Sequence, residues 1–124
     1  MKDRLVRGPI ELRRSPIDGY GVFALRDVAQ DEILEECRVL VIESAPPPLG
    51  DYVIRWGGKG SSLRGLPLGF GALYNHGDDP NAQWETKVDE GLMIIRAARR
   101  IAEGEEIVIS YGKGWFRARS RESR

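Results

Sequence analysis

Ile101-Ala102-Glu103-Gly104-Glu105-Glu106-Ile107-Val108-Ile109-Ser110-Tyr111-Gly112 is a turn, then a short apolar strand, then a tyrosine set before a glycine. Ala102-Glu103-Gly104 supplies the turn, and the run from Ile107 to Tyr111 carries the β-branched residues of a buried strand. Glu105 and Glu106 are adjacent carboxylates, yet neighbours on a strand point to opposite faces, so they do not form a cooperating acid and base. Outward from this stretch the pattern repeats. Leu92 to Ala97 is another strand, and Tyr20 to Leu25 and Ile10 to Arg13 are two more, separated by the turn Ser15-Pro16-Ile17-Asp18-Gly19. Ile33 to Glu36 and Val39 to Ile42 are the next pair of candidates. Pro46-Pro47-Pro48-Leu49-Gly50 ends any regular element, because proline has no ladder donor. Asp51 to Trp56 is short and ambiguous, and the glycine- and serine-rich stretch Gly57 to Gly65 reads as a mobile loop. With no long amphipathic helix, the fold class is mostly β with short helical turns.

The chain has 124 residues, which predicts a single domain spanning 1–124. Apolar residues make up 41% and charged residues 31%, a globular balance. Nineteen basic residues offset 19 acidic ones, so bulk charge points to no particular partner and predicts no direct nucleic-acid binding. The tail 117–124 is locally basic, either a solvated segment or an arm that meets an acidic or nucleic-acid-associated partner. Cys37 is the only cysteine and His76 the only histidine, so Cys and His cannot supply the roughly four ligands of a structural zinc, and no metal is expected. One cysteine forms no internal disulfide, and no stretch approaches the roughly 20 apolar residues of a membrane span, which predicts a soluble, intracellular protein with no membrane partner.

Two further clusters carry unusual chemistry. Gly19-Tyr20-Gly21-Val22-Phe23-Ala24 places glycines on either side of an aromatic at the start of a strand, where a ligand can approach the backbone closely; a hairpin turn would use the same residues. Leu68-Gly69-Phe70-Gly71-Ala72-Leu73-Tyr74-Asn75-His76-Gly77-Asp78-Asp79-Pro80-Asn81-Ala82 sets Asn75 and His76 just after an apolar run, with Pro80-Asn81 as a turn. Alone, Asn75 could cap a turn and His76 could be an ordinary half-buried histidine. No serine or cysteine stands in a nucleophile motif, which argues against hydrolase chemistry.

In this order the three clusters resemble the SET-domain protein-lysine methyltransferases, which show a Gly-x-Gly, then Asn-His-Ser-x-x-Pro-Asn, then Gly-Glu-Glu-x-x-x-x-Tyr-Gly. The resemblance covers a core of about residues 10–116 and is nearest to the small stand-alone proteins of viral and bacterial type. It implies a SET-domain fold of small curved β-sheets, with a C-terminal pseudoknot that brings the second and third clusters together. It further implies S-adenosylmethionine as cofactor and a protein substrate presenting a lysine, possibly a histone or histone-like protein. By the same resemblance, Tyr111 is the catalytic tyrosine at the methyl-transfer point. Gly19, Tyr20 and Gly21 line the methionine end of the cofactor, Asn75 holds its amino acid part, and the His76 backbone pairs with adenine. Trp115 and Phe116 cover the adenine, and Tyr52, Tyr111 and Trp115 wall the lysine channel. A homodimer that completes the substrate groove is also implied. Departures are Gly77 in place of the usual serine, Asp78 where many members carry cysteine, and Trp115-Phe116 in place of a Tyr-Trp pair. The alternative is a catalytically weak or inactive binding module on the same fold.

Overall fold

The alternating apolar runs do form strands, and the computed structural model describes residues 2–110. In chain order the strands are β1 (Ile10–Arg14), β2 (Tyr20–Ala24), β3 (Ile33–Ile42), β4 (Ile54–Arg55), β5 (Arg64–Pro67), β6 (Asn75–His76), β7 (Ala82–Lys87), β8 (Leu92–Ala97) and β9 (Glu106–Ile109). Two 3-10 turns, Leu49–Asp51 and Val88–Glu90, account for the helical content. The strands make two sheets, one ordered β1-β2-β9-β6 and the other β4-β5-β3-β8-β7.

The first sheet joins parts of the sequence that lie far apart. β1 and β2 are an antiparallel hairpin running from Ile10 opposite Ala24 to Arg14 opposite Tyr20. Its turn closes where the Ser15 N–H donates to the Gly19 carbonyl at 2.7 Å. Gly19 adopts φ +49°, a region that other residues enter only at a cost. β9 inserts between β2 and β6, antiparallel to the first and parallel to the second, with Asn75 opposite Val108 and His76 opposite Ile109. All three clusters of the sequence analysis therefore meet in one sheet.

β3 is one strand of 10 residues, where the sequence reading had two short ones. Arg38 interrupts the apolar run because its side chain is exposed while the backbone continues straight through. The strand changes partner on the way, pairing Ile33 to Arg38 with β8 and Val39 to Ile42 with β5. β7 went unread because Gln83, Glu85 and Lys87 face solvent, as suits an edge strand. β5 begins inside the stretch expected to be loop, and β4 lies in the ambiguous segment. The core lies between the sheets, where Val22, Leu34, Met93, Ile95, Ile101, Ile107 and Ile109 are fully buried. No helix of the described residues is long and apolar enough to cross a membrane.

Candidate active site

Asn75 sits on the two-residue strand β6, and the preceding segment is held in place by a buried carboxylate. Glu35, 2% exposed, accepts hydrogen bonds from the Tyr74 hydroxyl at 2.8 Å and the Phe70 N–H at 2.8 Å. Arg7 lies 3.5 Å from the same carboxylate and stacks over the Phe70 ring at 3.8 Å. Burial first, then the Glu35 charge and hydrogen bond, pushes the Tyr74 hydroxyl well above its usual range, so it stays a donor. Residues 70–74 thus enter β6 from a fixed position.

The Asn75 amide nitrogen donates into a polar pocket between the sequence clusters. Its two N–H bonds are shared among Glu106 Oε2 at 2.8 Å, Ser15 Oγ at 3.1 Å and the Asp18 carbonyl at 3.1 Å. Ser15 in turn donates to the Glu106 carboxylate at 2.8 Å. This fixes the orientation of the amide and leaves Asn75 Oδ1 as an acceptor with no partner among the described residues. Gly21 roofs the same group. A Cβ there would lie 2.2 Å from Glu106 Oε2 and 2.9 Å from Asn75 Nδ2, so only glycine fits without displacing the pair. Gly21→Ala is expected to cost about 1–3 kcal/mol of stability through overpacking, and to weaken ligand binding at Asn75. A melting curve and binding isotherm identical to wild type would remove Gly21 from the site.

Glu105 turns away from Glu106, as strand geometry predicts, and belongs to a second clamp built on Asn81. Asn81 is 2% exposed. Its amide donates to the Glu106 carbonyl at 2.8 Å and to Glu105 Oε2 at 3.1 Å, while its oxygen accepts the Val108 N–H at 2.8 Å. Burial pushes the Glu105 carboxyl up, but hydrogen bonds from Arg99, the Ala102 N–H and Asn81 outweigh it and hold it below the usual carboxylate range. Trp84 closes the far end of β9, its indole N–H donating to the Ser110 carbonyl at 2.8 Å. The chain is therefore anchored on both sides of β9, immediately before Tyr111.

Gly77 is a fitted residue. A Cβ at that position would stand 2.9 Å from Val108 Cγ2, so the β-branched Val108 occupies the space a serine would need. The Gly77 N–H donates to the Ile109 carbonyl at 3.0 Å, which continues the β6–β9 pairing without a side chain.

The structure thus brings Gly19, Tyr20, Gly21, Asn75 and His76 together around β2, β6 and β9. Tyr20 is 62% exposed, and nothing lies within 4 Å of a Cβ at Gly19, so this end of the site is open. His76 is largely buried, its ring 3.5 Å from Asp78. Tyr52 follows the Leu49–Asp51 turn and is 45% exposed. Tyr111, Trp115 and Phe116 lie outside the described residues. Trp84 was not singled out from the sequence, Ser15 and Asn81 were read only as turn residues, and Glu106 was set aside as half of a carboxylate pair. A serine in a turn, a strand glutamate and an asparagine after proline each have commoner roles, and only the pairing of β9 with β2 and β6 makes them neighbours. Among the described residues, no group of three or more His, Cys, Asp or Glu side chains is placed to hold a metal ion.

The SET domain family model matches residues 19–112. The chain is 31% identical over 124 residues to the histone-lysine N-methyltransferase, H3 lysine-37 specific, of Schizosaccharomyces pombe, an alignment covering 94% of this chain and 82% of the relative. A stretch of 53 residues is 43% identical to the histone-lysine N-methyltransferase SET9 of Phaeosphaeria nodorum, covering 43% of this chain and 8% of that protein. Among solved structures, a candidate histone methyltransferase of Plasmodium falciparum superposes with a TM-score of 0.74 at 38% identity, covering 90% of this chain and 99% of that one.

Proposed function

The chain belongs to the SET-domain family of S-adenosylmethionine-dependent protein-lysine methyltransferases, and from that premise we propose that it methylates a lysine of a histone or histone-like protein. The observation that carries the site assignment is the convergence of Gly21, Asn75 and Glu106 in one hydrogen-bonded group, because it unites the three sequence clusters. The substrate class rests on the two fungal relatives, both histone-lysine methyltransferases by name.

The residues present suit the cofactor. Asn75 Oδ1 is an acceptor in need of a donor, and the cofactor's amino acid end carries an ammonium. The open backbone at Gly19 and Tyr20 gives that end room to approach, and His76 offers backbone groups to the adenine. When bound, S-adenosylmethionine supplies a methyl on a cationic sulfur, already activated for transfer. The remaining difficulty is the lysine. With a reference pKa near 10.4, its amine is neutral in only about one molecule in 2,500 at pH 7, a cost of roughly 4–5 kcal/mol. An apolar channel disfavours the ammonium form, and holding the amine in line with the transferring methyl can contribute several kcal/mol more. Tyr111 is assigned to orient amine and methyl, Tyr52 and Trp115 to wall the channel, and Trp115 and Phe116 to cover the adenine. The single domain over 1–124, with 117–124 as a basic tail, associates with a second copy that completes the substrate groove. A histone substrate would put the protein with chromatin, in the nucleus of a eukaryotic cell.

S-adenosylmethionine is expected to stabilise the purified chain by about 2.7 kcal/mol at 100 times its dissociation constant, read as a rise in melting temperature. The substrate class is tested by offering labelled cofactor with core histones and, separately, with ribosomal proteins. Label on a histone lysine is expected; label confined to ribosomal proteins would overturn the histone assignment and leave the lysine chemistry standing.

A further inference from the structure

The exposed face of the β3–β5–β4 sheet carries cations that meet no carboxylate among the described residues. Arg7, Arg13, Arg26, Arg96, Arg99 and Arg100 each face a glutamate or aspartate within 4.0 Å. Arg38, Arg55, Lys59 and Arg64 have no carboxylate partner among the described residues. Arg4 and Arg14 also lack one among the described residues, and Arg14 belongs to β1 in the other sheet. The zero net charge of the whole chain conceals this segregation.

Strand register places the unpaired group. Arg55 on β4 lies directly opposite Arg64 on β5, and Arg64 lies opposite Ile42 on β3. Residues opposite each other share a face, so Arg55 and Arg64 project side by side, with Arg38 on the same face of β3 four residues from Ile42. Like charges directly opposite on neighbouring strands destabilise a sheet unless something screens them. Here, among the described residues, the Arg64 guanidinium donates to the backbone carbonyls of Ser62 at 3.3 Å and Leu63 at 3.0 Å. Lys59 extends the group at the tip of the connecting loop, between Gly58 and Gly60, both in left-handed conformations.

We infer that this hairpin face is a docking surface for the phosphate backbone of duplex nucleic acid. Guanidinium groups match phosphate oxygens in bidentate geometry, and cations set side by side on adjacent strands displace counterions from a polyanion. The choice of duplex DNA rests on the histone reading above, since histones are substrates presented beside DNA. An even overall charge predicts no such contact, and this proposal departs from that expectation for this face alone.

The probe is a labelled 20-base-pair duplex, titrated against the full chain by fluorescence anisotropy across a salt series. Arg55→Gln/Arg64→Gln removes two charges and keeps a polar side chain at each position. It should weaken binding about ten-fold at low salt and flatten the plot of log K against log salt by about 1.8, the value for two lost phosphate contacts. Arg26→Gln/Arg100→Gln removes the same charge at two carboxylate-paired positions and should leave the slope unchanged. Three results would overturn the inference: no duplex binding by the wild type, equal losses in both double variants, or polyglutamate competing as well as unlabelled duplex, which would point to an acidic protein. Methylation of a short histone peptide should be the same in the hairpin variant and wild type. Duplex binding with no peptide methylation by either would leave this inference intact and remove the histone reading alone.

Discussion

Tyr111→Phe is expected to slow methyl transfer about 100-fold or more while leaving S-adenosylmethionine affinity near wild type, because it deletes one preorganised hydroxyl and keeps the ring. A contact made mainly in the transition state lowers kcat without altering ground-state binding. β9 is pinned by Asn81 at Glu106 and Val108, and by Trp84 at Ser110, so the strand that precedes residue 111 is fixed beside Asn75 and His76. If Tyr111 is only a structural tyrosine, Tyr111→Phe would instead cost about 1 kcal/mol of stability with near-normal turnover. Single-turnover methylation, cofactor affinity and melting temperature measured on the same sample separate the two outcomes.

Asn81→Ala is expected to lose about 3 kcal/mol of stability, since the Glu106 carbonyl and the Val108 N–H each lose a partner in a largely dry setting at about 1–3 kcal/mol per group. That is a large fraction of the roughly 5–15 kcal/mol that holds a domain of this kind folded. Glu105 would also lose one of the hydrogen bonds that offset its burial. The denaturation midpoint should fall sharply, and whatever protein remains folded should still bind cofactor, because Asn81 belongs to the β9 clamp and has no contact with the Asn75 amide. A loss below about 0.5 kcal/mol, the size of an ordinary surface change, would mean that the clamp is not what holds β9 in place.

The sequence was most legible where strands carry apolar runs. β2 and β8 lie where the alternating pattern put them, and the mostly β class follows from the same pattern. Charged edges were the least legible. β7, an edge strand, hides behind Gln83, Glu85 and Lys87, and β5, an inner strand, behind a glycine-rich stretch, because strand pairing is decided by a neighbouring backbone that no local pattern reports. The site divides in the same way. Gly21 and Asn75 could be named from their motifs, but the reason Gly21 must be glycine lies in Glu106, 85 residues away in sequence and directly beneath it in space. Gly77 read as a departure from the usual serine and is matched to the branched Val108, a compensation visible only across the parallel β6–β9 pair. Asn81 read as turn chemistry because its role depends on backbone groups of a strand that arrives much later in the chain.

The most direct measurement incubates the purified full chain with S-adenosylmethionine carrying a heavy methyl group and a mixture of core histones, then locates the label by tandem mass spectrometry. The account predicts heavy methyl on a lysine side-chain nitrogen, with S-adenosylhomocysteine formed in equal amount and the signal strongly reduced for Tyr111→Phe. Heavy methyl on a side chain other than lysine, or none on any protein while the cofactor demonstrably binds, would contradict it.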